Sequence, residues 1–376
     1  MINPIRNYQI NGVNKITIMT HKTNKISNGV KVSAPGKAYL IGEHSVVYGE
    51  PAIIASIDKR TYVSIEPAKN ITYLDLAWPD ISHSWSQKEI FQLTQKALDL
   101  WRIGNAKKNF STLFDFIKEK GYEGYRASVL GIAMKMLGIK DGFSIKIDSK
   151  IPTGAGLGSS ASRAVAITKA LVELFEKKVS LEKINEIAYE QEKIIHGTPS
   201  GGDNSACCFG GLIWFEKAQP RNKIVSLKKD IPYQLENFVF VYTGQPKKTT
   251  GELVQQVSEL NEEYRTKRIK KIGKMSYQML EALKRKDFQR MKEIINQTQK
   301  NLAELGVSTK EIDKLSQVVQ KIGGAAKLCG AGGGGIVLSY HEDKEKLINL
   351  LKALGYQPWE SDLAVESVRI DFSGAR

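Results

Sequence analysis

The sequence predicts a two-lobed protein of the α+β or mixed α/β class, and three observations lead there. The chain has 376 residues, more than one ordinary hydrophobic core accommodates, so two domains are expected. Strand-like and helix-like apolar patterns occur together in both halves. Between the halves runs a polar connection, "KAQPRNKIVSLKKDIPYQLEN", which sets a boundary near Pro232. The expected division is an extension over 1–28, an N-terminal domain over 29–232 and a C-terminal domain over 233–376.

In chain order, the first 28 residues are polar and lack an apolar stretch, so they read as an extension and carry no secretory signal. "KAYLIG" and "AIIASI" read as buried strands and "TYVSIEP" as a half-buried one. Helical spacing marks Gln87–Trp101 and Tyr125–Leu137. Phe143, Ile145 and Ile147 alternate with polar neighbours, giving a strand that leads into the glycine-rich stretch "IPTGAGLGSSA", Ile151 to Ala161. Beyond it, Ala161, Ala164, Val165, Thr168, Leu171, Val172 and Phe175 form one apolar face of a helix. Ser180 reads as the N-cap of a second helix running toward His196, with Glu182 placed to favour the helix dipole. "LIWFE" and "FVFVYTG" are strands, and helices follow from Thr250 to about Ile322. Strands "AAKLCG" and "GIVLSY" flank a glycine run, a helix spans Glu342–Leu354, and a last strand covers Ala364–Phe372.

Composition narrows the function classes. Hydrophobic residues at 41% and charged residues at 25% are ordinary for a soluble globular protein. No apolar run reaches the roughly 18 residues of a membrane span. Three cysteines, two of them adjacent at Cys207 and Cys208, give neither a disulfide framework nor a zinc spacing, which fits the cytoplasm. The net charge of +15 is compatible with nucleic acid, an anionic membrane surface or anionic small substrates. A lysine-rich solvated surface is the simpler explanation. The densest basic run, "KRIKKIGK" (Lys267–Lys274), lacks interleaved aromatics and makes a poor platform for single strands. Neither a nucleic-acid nor a membrane partner is expected.

The glycine-rich stretch points to an anion. Gly154, Gly156 and Gly158 let backbone N–H groups approach a ligand, and Ser159 and Ser160 stand at the mouth of a helix whose first N–H groups lack partners. The pattern lacks the Gly-Lys-Ser/Thr of a P-loop and misplaces the last glycine of a dinucleotide fingerprint. The H-R-D and D-F-G elements of a protein kinase are absent. A turn that merely lets strand and helix pack closely is the competing explanation.

Three further stretches change that balance. "APGKAYLIGEHSVVYGEPAI" puts Lys37 at the head of a buried strand and Glu43 and His44 at its far end, a costly place for charges that are not used or paired. "EKIIHGTPSGGDNSACCFGG" carries Glu192 on a helix and Asp203 in a glycine-rich turn. "KLCGAGGGGIVLSY" places five glycines between two strands, so something large should lie against that hairpin.

Together with the loop, these stretches resemble the three signature motifs of the GHMP small-molecule kinases, a family that includes galactokinase, homoserine kinase, mevalonate kinase and phosphomevalonate kinase. The resemblance runs from about Lys31 to the C-terminus. Within the family it is greatest to the mevalonate kinase branch. Galactokinases carry arginine where Lys37 stands and a sugar-binding acidic residue soon after their Gly-Glu-His, whereas here Ser45, Val46, Val47, Tyr48 and Gly49 follow. "HGTPSGGDN" and "NQTQKNLAELGVSTKEID" also resemble that branch. Gly202 and Cys329 depart from the family pattern, which has an apolar residue and a threonine or serine there.

The resemblance implies a GHMP kinase fold, with a mixed α/β N-terminal lobe and a ferredoxin-like C-terminal lobe. It implies ATP-dependent, magnesium-dependent phosphorylation of mevalonate to 5-phosphomevalonate for isoprenoid synthesis. ATP is expected on Pro152, Gly154, Ala155, Gly156, Leu157, Gly158, Ser159, Ser160 and Ala161, with Gly332 and Gly333 from the hairpin. Ser160 and Glu192 match the family's magnesium ligands, Asp203 its catalytic base, and Lys37 the cation beside that base. Glu43, His44, Thr249 and Thr250 match substrate contacts. Lys247 and Lys248 would suit an acceptor that already carries a phosphate, which keeps phosphomevalonate kinase as the alternative. A non-catalytic nucleotide-binding protein is the more distant one, and a homodimer stays open.

Overall fold

The computed structural model describes residues 29–218 and 222–374, so the extension expected over 1–28 lies outside the described residues. The chain forms two lobes, each a sheet covered by helices, in the α+β architecture the sequence predicted.

The first lobe opens with β1 (Val30–Ile41), a 3-10 turn over Ser45–Tyr48, and β2 (Ala52–Pro67). β3 (Ile71–Asp75), β4 (Ser82–Trp85), α1 (Gln87–Lys107), α2 (Ser111–Leu137) and β5 (Phe143–Ser149) come next. Then come α3 (Ser159–Leu174), α4 (Leu181–His196), α5 (Gly202–Phe209), β6 (Leu212–Glu216) and β7 (Lys223–Ser226). The sheet runs β4-β3-β5-β2-β1, and only the β3–β5 pair is parallel. "AIIASI" and "TYVSIEP" are one long strand, β2, whose start pairs with β6 and whose end pairs with β5. β7 adds to β6, so a strand forms inside the polar connection.

The second lobe holds β8 (Phe238–Tyr242), α6 (Thr250–Ser258), α7 (Glu262–Lys284), α8 (Phe288–Glu304) and α9 (Lys310–Lys321). β9 (Ala325–Cys329), β10 (Ile336–Tyr340), α10 (Lys344–Ala353) and β11 (Trp359–Glu360) complete it. Its sheet is antiparallel in the order β11-β8-β10-β9. The last strand, β12 (Arg369–Ser373), starts later than expected and pairs with β1, so the chain returns to the first sheet after completing the second.

Local chemistry explains several boundaries. A capping box between Ser86 and Glu89 starts α1, which continues beyond Trp101 to Lys107. α2 begins earlier than its periodicity suggested because it is broken: Lys120, Gly121 and Tyr122 have φ of 47°, 67° and 63°. The break hides the first segment from a 3.6-residue pattern. The predicted apolar face of α3 is buried from Ala161 to Leu174 against β1 and β2. One core lies between the first sheet and α1–α4, and a larger one runs from Leu40, Ile41 and Ile53 into both faces of the second sheet.

β1 positions the glycine-rich loop. β12 covers the outer edge of β1 only from Val30 to Ser33. Farther along, that edge takes up the loop: Lys37 N donates to Leu157 O at 3.0 Å, and Ser162 Oγ donates to Ala34 O at 2.8 Å. A bulge at Pro35–Gly36, where proline offers no N–H to the ladder, bends the strand just before the loop contact.

Candidate active site

The loop between β5 and α3 alternates anchors and bare backbone. Ala155 and Leu157 are buried in the core, and Gly154, Gly156 and Gly158 have φ of 72°, 82° and 73°, a region side chains disfavour. The loop's carbonyls turn toward β1, where Gly156 O accepts from Lys37 Nζ at 2.8 Å and Leu157 O from Lys37 N. Its N–H groups are left over. Among the described residues no acceptor is found for those of Gly154 through Ala161. Gly158 is the N-cap of α3 and has no side chain to cap it. Unpaired N–H groups at the positive end of a helix, beyond an exposed stretch of glycine backbone, form a site for an anion such as phosphate.

Lys37 joins this loop to Asp203. Its Nζ lies 3.0 Å from Asp203 Oδ2 and 4.7 Å from the centre of the Tyr39 ring. Burial works to lower the Lys37 pKa, but the Asp203 carboxylate together with the nearby Cys329 and Cys207 outweighs it, and the net shift is upward. The ammonium therefore stays charged. Asp203 stands in the first turn of α5, a helix where a glycine-rich turn was expected, and its side chain is 35% exposed. A carboxylate so placed, with the Lys37 ammonium 3.0 Å away, is positioned to accept a proton from an incoming hydroxyl.

Glu192 is buried on α4 and meets the helix start. Ser160 Oγ donates to Glu192 Oε2 at 3.2 Å. His196, one helical turn beyond Glu192, places Nε2 3.2 Å from Ser160 Oγ and 3.4 Å from Glu192 Oε2. Burial alone would lower the His196 pKa, and Glu192 reverses this to raise it. His196 is a member of the site that the sequence reading missed. Its spacing from Glu192 was the available signal. Among the described residues no group of three or more His, Cys, Asp or Glu side chains could hold a metal by itself. The hydroxyl and carboxylate here are hard oxygen donors beside an anion loop, the partial set that suits magnesium when phosphate oxygens and water supply the rest.

The glycine hairpin after β9 lies against the loop itself. A side-chain carbon at Gly156 would sit 2.7 Å from Cys329 O, and one at Gly330 would sit 3.1 Å from the Gly156 Cα. The large body expected against the hairpin is thus the loop's own backbone. Farther along, Gly333 N donates to Val307 O at 2.8 Å, so that N–H is already used, and Gly332 packs on the same carbonyl.

The remaining candidates divide between the hairpin and α6. Glu43 is buried and ion-paired with Lys327, a lysine inside the apolar strand β9. Burial raises the Glu43 pKa and Lys327 opposes that only in part. His44 has φ 59°, and its Nε2 lies 2.8 Å from Ala331 O. Burial lowers its pKa, with the Ala331 carbonyl opposing. Thr249 is the N-cap of α6, with its hydroxyl and Glu252 forming a capping box, and Thr250 is exposed beside it. Burial pushes up all three thiols, Cys208 to about 12, so none is primed as a nucleophile.

Comparison with known proteins places the chain in a family. Residues 125–211 match the GHMP kinases N terminal domain, and residues 279–359 match the GHMP kinases C terminal domain. A mevalonate kinase of Thermococcus sibiricus is 30% identical over 356 residues, covering 91% of this chain and 98% of that protein. The chain belongs to the GHMP kinase family. Another similar member, the mevalonate kinase of Methanocaldococcus jannaschii, is 32% identical over 328 residues, covering 86% of this chain and 95% of that protein. A crystal structure of the Methanococcus jannaschii mevalonate kinase superposes with a TM-score of 0.73 at 28% identity, covering 89% of this chain and 98% of that one.

This GHMP kinase's two departures from the family pattern have local explanations. At Gly202 a side-chain carbon would lie 2.8 Å from Ile54 Cδ1 and 2.9 Å from the Tyr39 hydroxyl, so those side chains already fill the space. Cys329 meets the loop through its carbonyl, a contact that does not need a hydroxyl on its side chain. Among the described residues no helix is long and apolar enough to cross a membrane.

Proposed function

We propose that the chain transfers the terminal phosphoryl group of ATP to the primary alcohol of mevalonate, forming 5-phosphomevalonate as an isoprenoid precursor in the cytoplasm. One observation carries the proposal: Lys37 Nζ contacts the loop at Gly156 O and the carboxylate at Asp203 Oδ2. A single cation thereby ties the phosphate cradle to the base. The similarity to mevalonate kinases supports mevalonate as the acceptor.

The free N–H groups from Gly154 to Ala161 would hold the phosphates of ATP. Asp203 takes the proton from the acceptor hydroxyl as that oxygen bonds to the terminal phosphorus. The bond from phosphorus to the bridging oxygen breaks, and ADP leaves. Lys37 offsets negative charge on the transferring group. Ser160 and Glu192 would hold magnesium, which supplies charge neutralisation between the phosphates when bound.

A coupled ADP-release assay across mevalonate, phosphomevalonate, galactose and homoserine tests the proposal. Turnover with mevalonate is expected; activity confined to phosphomevalonate would replace it with the second reading. That reading has its own observation. Lys247 and Lys248 are exposed beside Pro246, which packs against Gly334 and Gly335 of the hairpin, and Lys248 Nζ donates to Gln256 Oε1.

A further inference from the structure

Two contacts between the lobes leave the turn after β1. Glu43 pairs with Lys327 Nζ, with side chains 1% and 0% exposed. His44 Nε2 bonds to Ala331 O at 2.8 Å. Lys327 precedes Cys329 and Ala331 comes after Gly330, so the two contacts bracket the part of the hairpin that touches Gly156. Lys37 Nζ holds the Gly156 carbonyl from the other direction. Lys37 lies on β1 and Glu43 in the turn just beyond it, so one segment of the first lobe fixes the middle of the loop twice.

A buried ion pair is a poor device for stability alone, because desolvation offsets much of the attraction and well-packed apolar residues often do as well. Glu43 is also incompletely satisfied, since its Oε2 has no hydrogen-bond partner among the described residues. Such a pair is explained by what it positions. We infer that Glu43 and Lys327 form a positioning pair that seats the hairpin against the loop and so sets nucleotide affinity, without Glu43 touching the acceptor. The inference rests on the loop being the nucleotide site.

Glu43→Gln, Lys327→Met and the double variant test it, by titration with a fluorescent ATP analogue and by steady-state kinetics. Each single variant is expected to raise the analogue's Kd and the KM for ATP roughly 10- to 100-fold, the scale of a small misplacement at a site. The KM for mevalonate should stay unchanged, and the double variant should be no worse than the poorer single. A rise confined to the mevalonate KM overturns the inference and makes Glu43 an acceptor contact. Wild-type nucleotide affinity in the variants overturns it as well. Where a stranded buried charge prevents a single variant from folding, the neutral double variant carries the same test. Failure of the wild-type protein to bind the analogue overturns the loop assignment itself, a result distinct from either of these.

Discussion

Gly156 sits where loop and hairpin touch, and replacing it with alanine isolates that contact. Its φ is 82°, and the added carbon would lie 2.7 Å from Cys329 O and 3.4 Å from the Gly330 Cα. A left-handed conformation costs a residue with a side chain about 1–2 kcal/mol. Overpacking typically adds about 1–3 kcal/mol, and here the neighbour is backbone of a buried strand end, which cannot rotate aside. The expected loss is therefore about 2–5 kcal/mol in all. Gly154 provides the control, with φ 72° and nothing within 4 Å of the added carbon. Gly154→Ala should show the conformational cost alone, about 1–2 kcal/mol. Urea unfolding monitored by tryptophan fluorescence, with nucleotide titration on the same samples, measures both variants. Equal losses in the two would refute the packing of the hairpin on the loop.

The site predicts three further outcomes. Asp203→Asn should keep nucleotide binding and lose turnover by ~10²–10⁴-fold, the usual value of a positioned general base; near wild-type turnover in the ADP-release assay would remove Asp203 from that role. Glu192→Gln should raise the magnesium concentration needed for half-maximal activity while leaving metal-free nucleotide binding intact, and an unchanged magnesium titration would count against Glu192 as a ligand. His44 has a folded pKa below its ordinary 6.5 because burial disfavours the imidazolium. The unfolded chain therefore binds the proton first, and stability present above pH 6.5 is lost as pH falls from there through the folded value. His44→Asn, which tolerates the left-handed backbone, should flatten that part of the pH dependence of the urea midpoint, and an undiminished slope would assign it to other groups.

Much of the candidate site was legible because its chemistry is local in sequence. Gly154 to Ser160 spells out a cradle, and the helix it opens is marked by the apolar spacing after Ala161. Partnerships across the chain were not legible. Nothing near Glu43 points to Lys327, which lies 284 positions away, and the packing of β9 against the β1 segment brings it there. Asp203 read as a turn residue because Gly201 and Gly202 precede it, yet Gly201 serves as the N-cap of a short helix. β12 could not be assigned to the first sheet either, since period-two alternation marks a strand but not its partner. The broken α2 shows a related limit, because left-handed φ values at Lys120 and Tyr122 have no signature in those side chains.

The net charge of +15 invites the view that this site attracts phosphate by carrying lysines, and the geometry argues otherwise. The ionisable groups around the loop are Lys37, Lys327 and His196 against Glu43, Glu192 and Asp203, and each of the three basic groups already lies against a carboxylate. The site's own side chains thus offer no surplus positive charge to a triphosphate. What faces the anion is dipolar: uncapped N–H groups at the start of α3 and the backbone between its glycines. Dipoles of that kind fix where phosphates sit, but they do not neutralise several negative charges beside Glu192 and Asp203. A divalent cation held at Ser160 and Glu192 would make up the difference, which gives a physical reason for a carboxylate, rather than another lysine, at the mouth of the proposed phosphate loop.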